Sequence, residues 1–94
     1  MTRDSIYLAI DAERDRQSEA WCRPHYWGFG DCSSESVEPT TKLTVLTEEL
    51  GEVARAVLDN KPDDLVSELV QVAAVAIAWL ESLPGPLTES ASRP

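Results

Sequence analysis

Three carboxylates in one short helical stretch are the side chains of this chain best suited to chemistry. Glu48, Glu49 and Glu52 lie within five residues. Glu48 and Glu52 are one helical turn apart, and Glu49 and Glu52 are also neighbours. Like charges at this spacing repel, and a divalent cation with oxygen ligands would offset the repulsion. A solvated acidic face is the alternative interpretation, and this stretch alone favours it.

A second polar pair, Glu68 and Gln71, lies one turn apart in a later helical segment. Gln71 interrupts an otherwise apolar run over residues 69–80. In one interpretation Glu68 is at the surface and Gln71 is a hydrogen-bonded core amide. In the other, both face Glu49 and Glu52 across an antiparallel hairpin, and the four side chains converge on one metal site.

Helical periodicity predicts an all-α fold, a small bundle of three main helices: residues 4–21, 41–59 and 63–83. Thr2 or Asp4 is expected to cap the first helix, and Thr40 or Thr41 the second. Pro62 ends the short turn after the second helix, so the second and third helices are expected to form an antiparallel hairpin. The charged end of the first helix, residues 13–19, is expected to be solvated.

Gly51 lies in the interior of the second helix, between Glu49 and Glu52. Glycine at such a position costs up to about 1 kcal/mol relative to alanine. Such a residue often indicates that another element approaches closely. We therefore expect Gly51 to leave room beside the carboxylates.

Residues 22–39 have no periodicity and are predicted to form a loop that is long for so small a domain. Its aromatic residues could stack on a nucleobase or close the end of the bundle, and the two interpretations are equally favoured. Cys22, His25 and Cys32, with Asp31, could bind zinc, although their spacing matches no common structural zinc pattern. Free thiols in a reducing compartment are the favoured interpretation.

The chain of 94 residues is expected to form one helical domain over residues 1–83 and a disordered tail over 84–94. The third helix is apolar on nearly all sides, which is more apolar surface than one small chain can cover. We therefore expect oligomerisation to complete the bundle, as a homodimer or homotetramer.

A formal net charge of -9 opposes binding to nucleic acid backbones and to anionic membranes, so neither is an expected partner. The first twelve residues carry early charges and no long apolar core, unlike a signal peptide. The longest apolar run, residues 72–80, is too short to span a bilayer. These features predict a cytoplasmic protein.

The two carboxylate motifs together resemble those of the MazG-like all-α nucleoside triphosphate pyrophosphohydrolases. An E-E-x-x-E helix followed by an E-x-x-D helix is typical of that family. In this chain the corresponding residues are Glu48, Glu49 and Glu52, then Glu68 and Gln71. The likeness covers roughly residues 6–83 apart from the loop, and its most similar segments are residues 12–17, 48–52 and 68–76.

The resemblance implies Mg²⁺-dependent hydrolysis of a nucleoside triphosphate, with a deoxynucleotide favoured, to the monophosphate and pyrophosphate; Mn²⁺ could replace Mg²⁺. The implied metal ligands are Glu49, Glu52, Glu68 and Gln71. The implied catalytic residues are Glu48 and Glu49, with Glu48 as a ligand or a water-orienting base. The candidates for phosphate contacts are Lys42, Arg14, Arg16 and Lys61. The candidates for the base pocket are Trp21 and Trp27.

Gln71 departs from the family pattern, because an Asp occupies the corresponding position there. A neutral amide oxygen adds no negative charge, so metal affinity and a two-metal site are expected to be weaker. The alternative function is therefore a non-catalytic helical dimer that binds a nucleotide or a protein partner.

Overall fold

Three helices dominate the fold, and they are α1 (Arg3–Trp21), α2 (Pro39–Leu58) and α3 (Pro62–Ser82). This computed structural model describes residues 1–26 and 28–85. In the loop between α1 and α2, β1 (Pro24–His25) and β2 (Gly28–Phe29) form a two-residue antiparallel pair. The predicted all-α class with three main helices is confirmed. Trp27 and most of the predicted tail, residues 86–94, lie outside the described residues.

The starts of α1 and α2 show two ways of beginning a helix. Thr2, one of the two predicted caps of α1, is the N-cap. Its side-chain oxygen accepts a hydrogen bond from the backbone N–H of Ser5. The predicted cap of α2 at Thr40 or Thr41 is wrong, because Glu38 is the N-cap and Pro39 is the first helical residue. Proline suits that position because its φ is already helical and no N–H partner is needed there.

The hairpin turn joins α2 to α3 with only three residues, 59–61, between the helices. Asn60 adopts a left-handed φ of 54°, a conformation that asparagine tolerates better than most residues. The backbone N–H of Lys61 donates to the Ala56 carbonyl at 3.0 Å. Pro62 then begins α3, and Asp63 follows in the first turn, where a negative charge is favourable.

Helix α3 is central, because both α1 and α2 pack against it, while α1 and α2 make no close backbone contact in the described chain. The packing of α2 on α3 is the predicted hairpin. Small side chains permit these close approaches: Ala74 and Ala78 of α3 and Ala56 of α2 are all buried. Val75 of α3 and Val37 and Cys32 of the loop complete the buried apolar set of the described residues.

Much apolar surface of the hairpin stays uncovered. Helix α3 is long and apolar enough to cross a membrane by length and composition, with mean hydropathy 1.5, yet only 22% of that window is buried. Length and composition alone are weak support for a span, because packed core helices meet the same criteria. The large exposed apolar residues of α2 and α3 include Leu43, Leu50, Val57, Val66, Leu69, Ile77 and Leu80.

Gly51 faces open space in this chain. A Cβ atom built on it would meet no other atom within 4 Å. The expected close approach of another element of the same chain is therefore wrong. The residue lies on an exposed part of α2, where the absence of a side chain widens an already open surface.

An ion-pair cluster holds the loop between α1 and α3. Arg14 Nη1 donates to Asp31 Oδ2 at 2.7 Å, and Arg14 Nε donates to Glu81 Oε1 at 2.9 Å. The Asp31 side chain is only 11% exposed, and the Ser33 backbone N–H also donates to it. Burial raises the pKa of Asp31, but the Ser33 hydrogen bonds and the Arg14 charge outweigh burial and lower it overall.

Removing Arg14 should destabilise the fold, because it leaves the buried Asp31 carboxylate without its cation. We expect Arg14→Met to lower the free energy of unfolding by about 2–4 kcal/mol. The matched control is Arg16→Met, which breaks a pair with Glu13 within one helix, and it should cost less than Arg14→Met because 59% of the Arg16 side chain is exposed. Urea denaturation followed by circular dichroism measures both. Equal midpoints for the two variants would show that the cluster does not hold the loop.

Candidate functional site

Two carboxylates face each other across the α2–α3 hairpin, Glu49 on α2 and Glu68 on α3. Both residues are partly buried, and the Oε2 atom of each is buried without a hydrogen-bond partner. A buried carboxylate oxygen without a partner is costly, because it has lost its water and gained nothing in exchange. These two atoms are therefore the strongest indication of a missing cationic or hydrogen-bonding ligand.

Negative charge from all three helices surrounds Glu49. Burial is the largest cause that raises the pKa of Glu49, followed by the charges of Glu68, Glu52, Glu13 and Glu48. The cluster thus brings together the acids predicted from α2 and α3. It also includes Glu13 of α1, which sequence analysis placed in a solvated end.

The four predicted metal ligands are divided between two neighbouring cavities. Glu49 and Gln71 line the larger cavity, whereas Glu52 and Glu68 line a small one of about 70 Å³. Within residues 1–26 and 28–85, no three His, Cys, Asp or Glu side chains are arranged to hold a metal ion. Glu49 and Glu68 still fit a cation, because their Oε2 atoms are buried, unpartnered and electrostatically coupled.

The larger cavity has a volume of about 490 Å³ and lies where α1 and α2 are separated. This volume is within the usual range of small-molecule sites. Side chains from all three helices and from the loop line it. Those that bear on chemistry are Arg16, Gln17, Trp21, Glu48, Glu49 and Gln71.

Gln71 lines this cavity and is only partly buried. Of the two interpretations of Gln71, the structure therefore favours a position facing a site over a fully enclosed core amide. Glu48 is exposed and lines the same cavity, where its carboxylate can reach water. Val75 and Ala78 supply an apolar wall from α3.

Trp21 lines the cavity at the C-terminal end of α1 and keeps 42% of its surface exposed. Its ring packs at a tilt against His25, with 5.3 Å between ring centroids. The Arg23 guanidinium carbon lies 6.0 Å from the centre of the indole. Tyr26 lines the cavity beside it. The other predicted base-pocket residue, Trp27, lies outside the described residues.

The predicted phosphate-binding residues differ in their surroundings. Arg16 lines the larger cavity and donates to Glu13 at 2.8 Å, while its charge interacts with Glu49. Lys61 lines the small cavity. Arg14 and Lys42 line neither cavity in the described chain, which corrects their expected role.

Arg14 and Lys42 instead serve the interior of the fold. Arg14 is committed to Asp31 and Glu81 in the ion-pair cluster. Lys42 is only 3% exposed, and its Nζ donates to Ser82 Oγ at 2.6 Å. A long cationic side chain can cover apolar surface with its methylene groups, and Lys42 does so where α2 meets α3.

The four residues considered for zinc binding differ in burial and make separate contacts. Cys22 is exposed, Cys32 is buried, and both thiols are free. Burial is the main cause of the raised pKa of Cys32. His25 Nε2 lies 3.1 Å from the Trp21 carbonyl oxygen, and Asp31 is held by Arg14. The free thiols agree with the interpretation favoured from the sequence.

Gln17 is a site residue that sequence analysis assigned to the solvated end of α1. It is buried and lines the larger cavity. The spacing of Glu13, Gln17 and Trp21, four residues apart each time, could have indicated it, because such residues share one face of a helix.

Comparison with known proteins adds no identity. No family model matches the chain, and no curated protein or solved structure is significantly similar to it. The geometry of the two cavities and of the carboxylates that line them is therefore the basis for a proposed function.

The raised pKa of Glu49 predicts that the protein becomes less stable as this carboxyl ionises. The folded state binds the proton more tightly than the unfolded state, so the free energy of unfolding falls as pH rises from about 4.3 through the raised pKa. Glu49→Gln should remove this fall. Melting temperatures of both proteins, measured across this range without divalent cations, test it.

The matched control for this pH dependence is Glu19→Gln, at an exposed position of α1. Its curve should run parallel to that of the parent protein. The contribution of Asp31 is lost at lower pH, since its pKa is depressed, and it is common to all three proteins. A Glu49→Gln curve parallel to the parent would contradict the burial and repulsion argued for Glu49.

Proposed function

We propose that the protein hydrolyses a nucleoside triphosphate, with a deoxynucleotide favoured, to the monophosphate and pyrophosphate. The observation that carries the proposal is the pair of buried, unpartnered Oε2 atoms of Glu49 and Glu68. Glu49 borders a cavity of about 490 Å³ that also presents a cation, Arg16, and an aromatic ring, Trp21. Charge, cation and ring are the three features that a nucleotide site needs.

The residues that would hold Mg²⁺, or Mn²⁺ in its place, are Glu49, Glu52, Glu68 and Gln71. When bound, the ion would neutralise the triphosphate and lower the pKa of the attacking water. Magnesium commonly uses few protein carboxylates and completes its shell with water and substrate phosphates. The carboxylates of Glu49 and Glu68 would therefore be enough to bind the ion. Glu52 and Gln71 would increase its affinity.

Glu48 is the residue that would accept a proton in the proposed reaction. It is exposed, lines the cavity and lies next to Glu49 in sequence. Water would add to the α-phosphorus of the substrate. The bond from this phosphorus to the oxygen that bridges to the β-phosphorus would break, and pyrophosphate would leave. Glu48 would orient this water and accept its proton. Glu49 would bind the cation, and the positive charge would offset the cost of burying the Glu49 carboxylate.

Arg16 would contact a phosphate oxygen at the cavity wall. Its present partner is Glu13, and the pair is exposed on the arginine side, with 59% of that side chain accessible. Because the Arg16 side chain is largely exposed, water screens its pairing with Glu13 and makes an exchange of partners less costly. Trp21 lines the cavity with 42% of its surface exposed and is the ring that would contact the base.

A second function from another class is nucleotide binding without hydrolysis. One observation favours it: the chain carries Gln71 where a carboxylate would add charge. In this proposal the cavity is the same and only the chemical step is missing. A protein partner on the exposed apolar surface of the hairpin is the other form of this alternative.

Mg²⁺ should stabilise the protein, and hydrolysis of the triphosphate should depend on it. At a hundredfold excess over its dissociation constant, Mg²⁺ should add about 2.7 kcal/mol to the free energy of unfolding. Glu49→Gln and Glu68→Gln should each lose most of this response and most pyrophosphate release across a panel of NTPs and dNTPs. Glu19→Gln is the matched control and should keep both.

Gln71→Asp separates the two proposed functions. If Gln71 faces a metal and a triphosphate, the added carboxylate should keep or increase Mg²⁺-dependent pyrophosphate release. If the chain only binds nucleotides, the variant should stay inactive. Destabilisation that Mg²⁺ does not relieve, together with an inactive parent protein, would exclude the enzyme.

We also propose that the chain forms a homodimer or homotetramer through the exposed apolar residues of α3. Sedimentation at micromolar concentration should show the oligomer. Leu69→Glu with Leu80→Glu should dissociate it, because both side chains are about half exposed in the single chain. Leu8→Glu on α1 is the matched control, since Leu8 is 71% exposed. A monomeric parent protein would overturn the proposal.

A further inference from the structure

Gln17 is a largely buried residue whose amide makes no hydrogen bond to another part of the described chain. Only 8% of the residue is exposed, and its side chain lines the larger cavity. Among the hydrogen bonds of residues 1–26 and 28–85, none involves the Gln17 side chain. The Gln17 amide atoms are not among the fully buried, unpartnered atoms of the described chain, so they stay accessible at a residue that borders the cavity, where a ligand can form hydrogen bonds with them.

Gln17 lies between the acidic and the aromatic parts of the cavity wall. Glu13, Gln17 and Trp21 follow one another at one-turn intervals along the inner face of α1. At one end, the charge of Glu13 acts on Glu49. At the other end, Trp21 offers an indole ring. A ligand whose phosphates lie near Glu49 and whose base lies near Trp21 must therefore pass Gln17.

The structure assigns Gln17 to the recognition of the nucleobase, as the residue that makes the site selective among bases. This inference takes the nucleotide class of ligand from the proposed function. A primary amide presents a donor and an acceptor side by side. That pattern is complementary to a base edge with an adjacent acceptor and donor, and glutamine makes such paired contacts to bases elsewhere.

Selectivity follows from the cost of leaving this amide unpaired. A base that offers the complementary edge satisfies both amide atoms, whereas a base with the wrong pattern leaves a donor or an acceptor buried without a partner. Sites that hydrogen-bond a substrate reject analogues lacking the bond far more strongly than purely apolar pockets do. Val75 and Ala78 are apolar and cannot supply that discrimination.

The stability of Gln17 variants distinguishes ligand recognition from a structural role. If the amide serves only a ligand, Gln17→Leu removes no hydrogen bond within the described chain, and the melting temperature should stay the same or rise. If the amide stabilises the fold, the melting temperature should fall. Gln17→Met, which keeps the unbranched shape, replaces Gln17→Leu if the latter does not fold.

The experiment measures binding of the nucleoside monophosphates of all the common bases, by calorimetry, to the full chain without metal. The parent protein should prefer one base by at least about tenfold, the factor for one lost hydrogen bond in a buried site. In Gln17→Leu this preference should largely disappear. Ser18→Leu, at an exposed position of α1, is the matched control and should keep the preference.

Two outcomes overturn the inference: no binding of any monophosphate, or an unchanged order of bases in Gln17→Leu, whether or not its melting temperature falls. Hydrolysis is assayed separately, as pyrophosphate release from triphosphates. Selective binding that depends on Gln17 in a chain without hydrolysis would remove the proposed enzyme and keep the inference. Hydrolysis with a base preference independent of Gln17 would do the reverse.

Discussion

Close packing on the alanine-rich face of α3 is the contact on which the rest of the structure depends. Both α1 and α2 reach α3, and they make no close backbone contact with each other in the described chain. Because Ala74 and Ala78 have small side chains, the two helices approach α3 closely while remaining apart from one another. The space left between α1 and α2 is the larger cavity, so the core packing and the candidate site have the same origin.

The candidate site is unfavourable to the chain that carries it. Glu49 and Glu68 lose water and repel each other, and the amide of the largely buried Gln17 makes no hydrogen bond within the described chain. Buried polar groups of this kind reduce stability, and proteins keep them mainly where function requires them. The ion pairs of Arg14 act in the opposite sense, because they fix the loop beside the same cavity. The stabilising ion pairs of Arg14 beside the site thus offset the cost of the unpaired polar groups within it.

Local signals predicted the helices, and long-range contacts decided the site. Periodicity and Pro62 were sufficient to predict the α2–α3 hairpin, since both depend on neighbouring residues. The facing of Glu49 and Glu68 followed from that hairpin. The partners of Arg14 could not be predicted, because Asp31 and Glu81 lie 17 and 67 residues away in sequence. Gly51 was expected to have a close neighbour, but its surroundings are open. Contacts with residues distant in sequence decide what approaches a helix, and the local sequence does not show them.

The contact between Arg14 and Glu81 also has a consequence for the order of folding. Closing a loop of 67 residues costs about 4 kcal/mol of chain entropy, whereas the three-residue turn of the hairpin costs far less. Local contacts form first when closure costs differ in this way. The hairpin is therefore expected to form early and α1 to dock late. The cavity would come into existence only at that last step, so α1 is also the element whose local opening would give a ligand its way in.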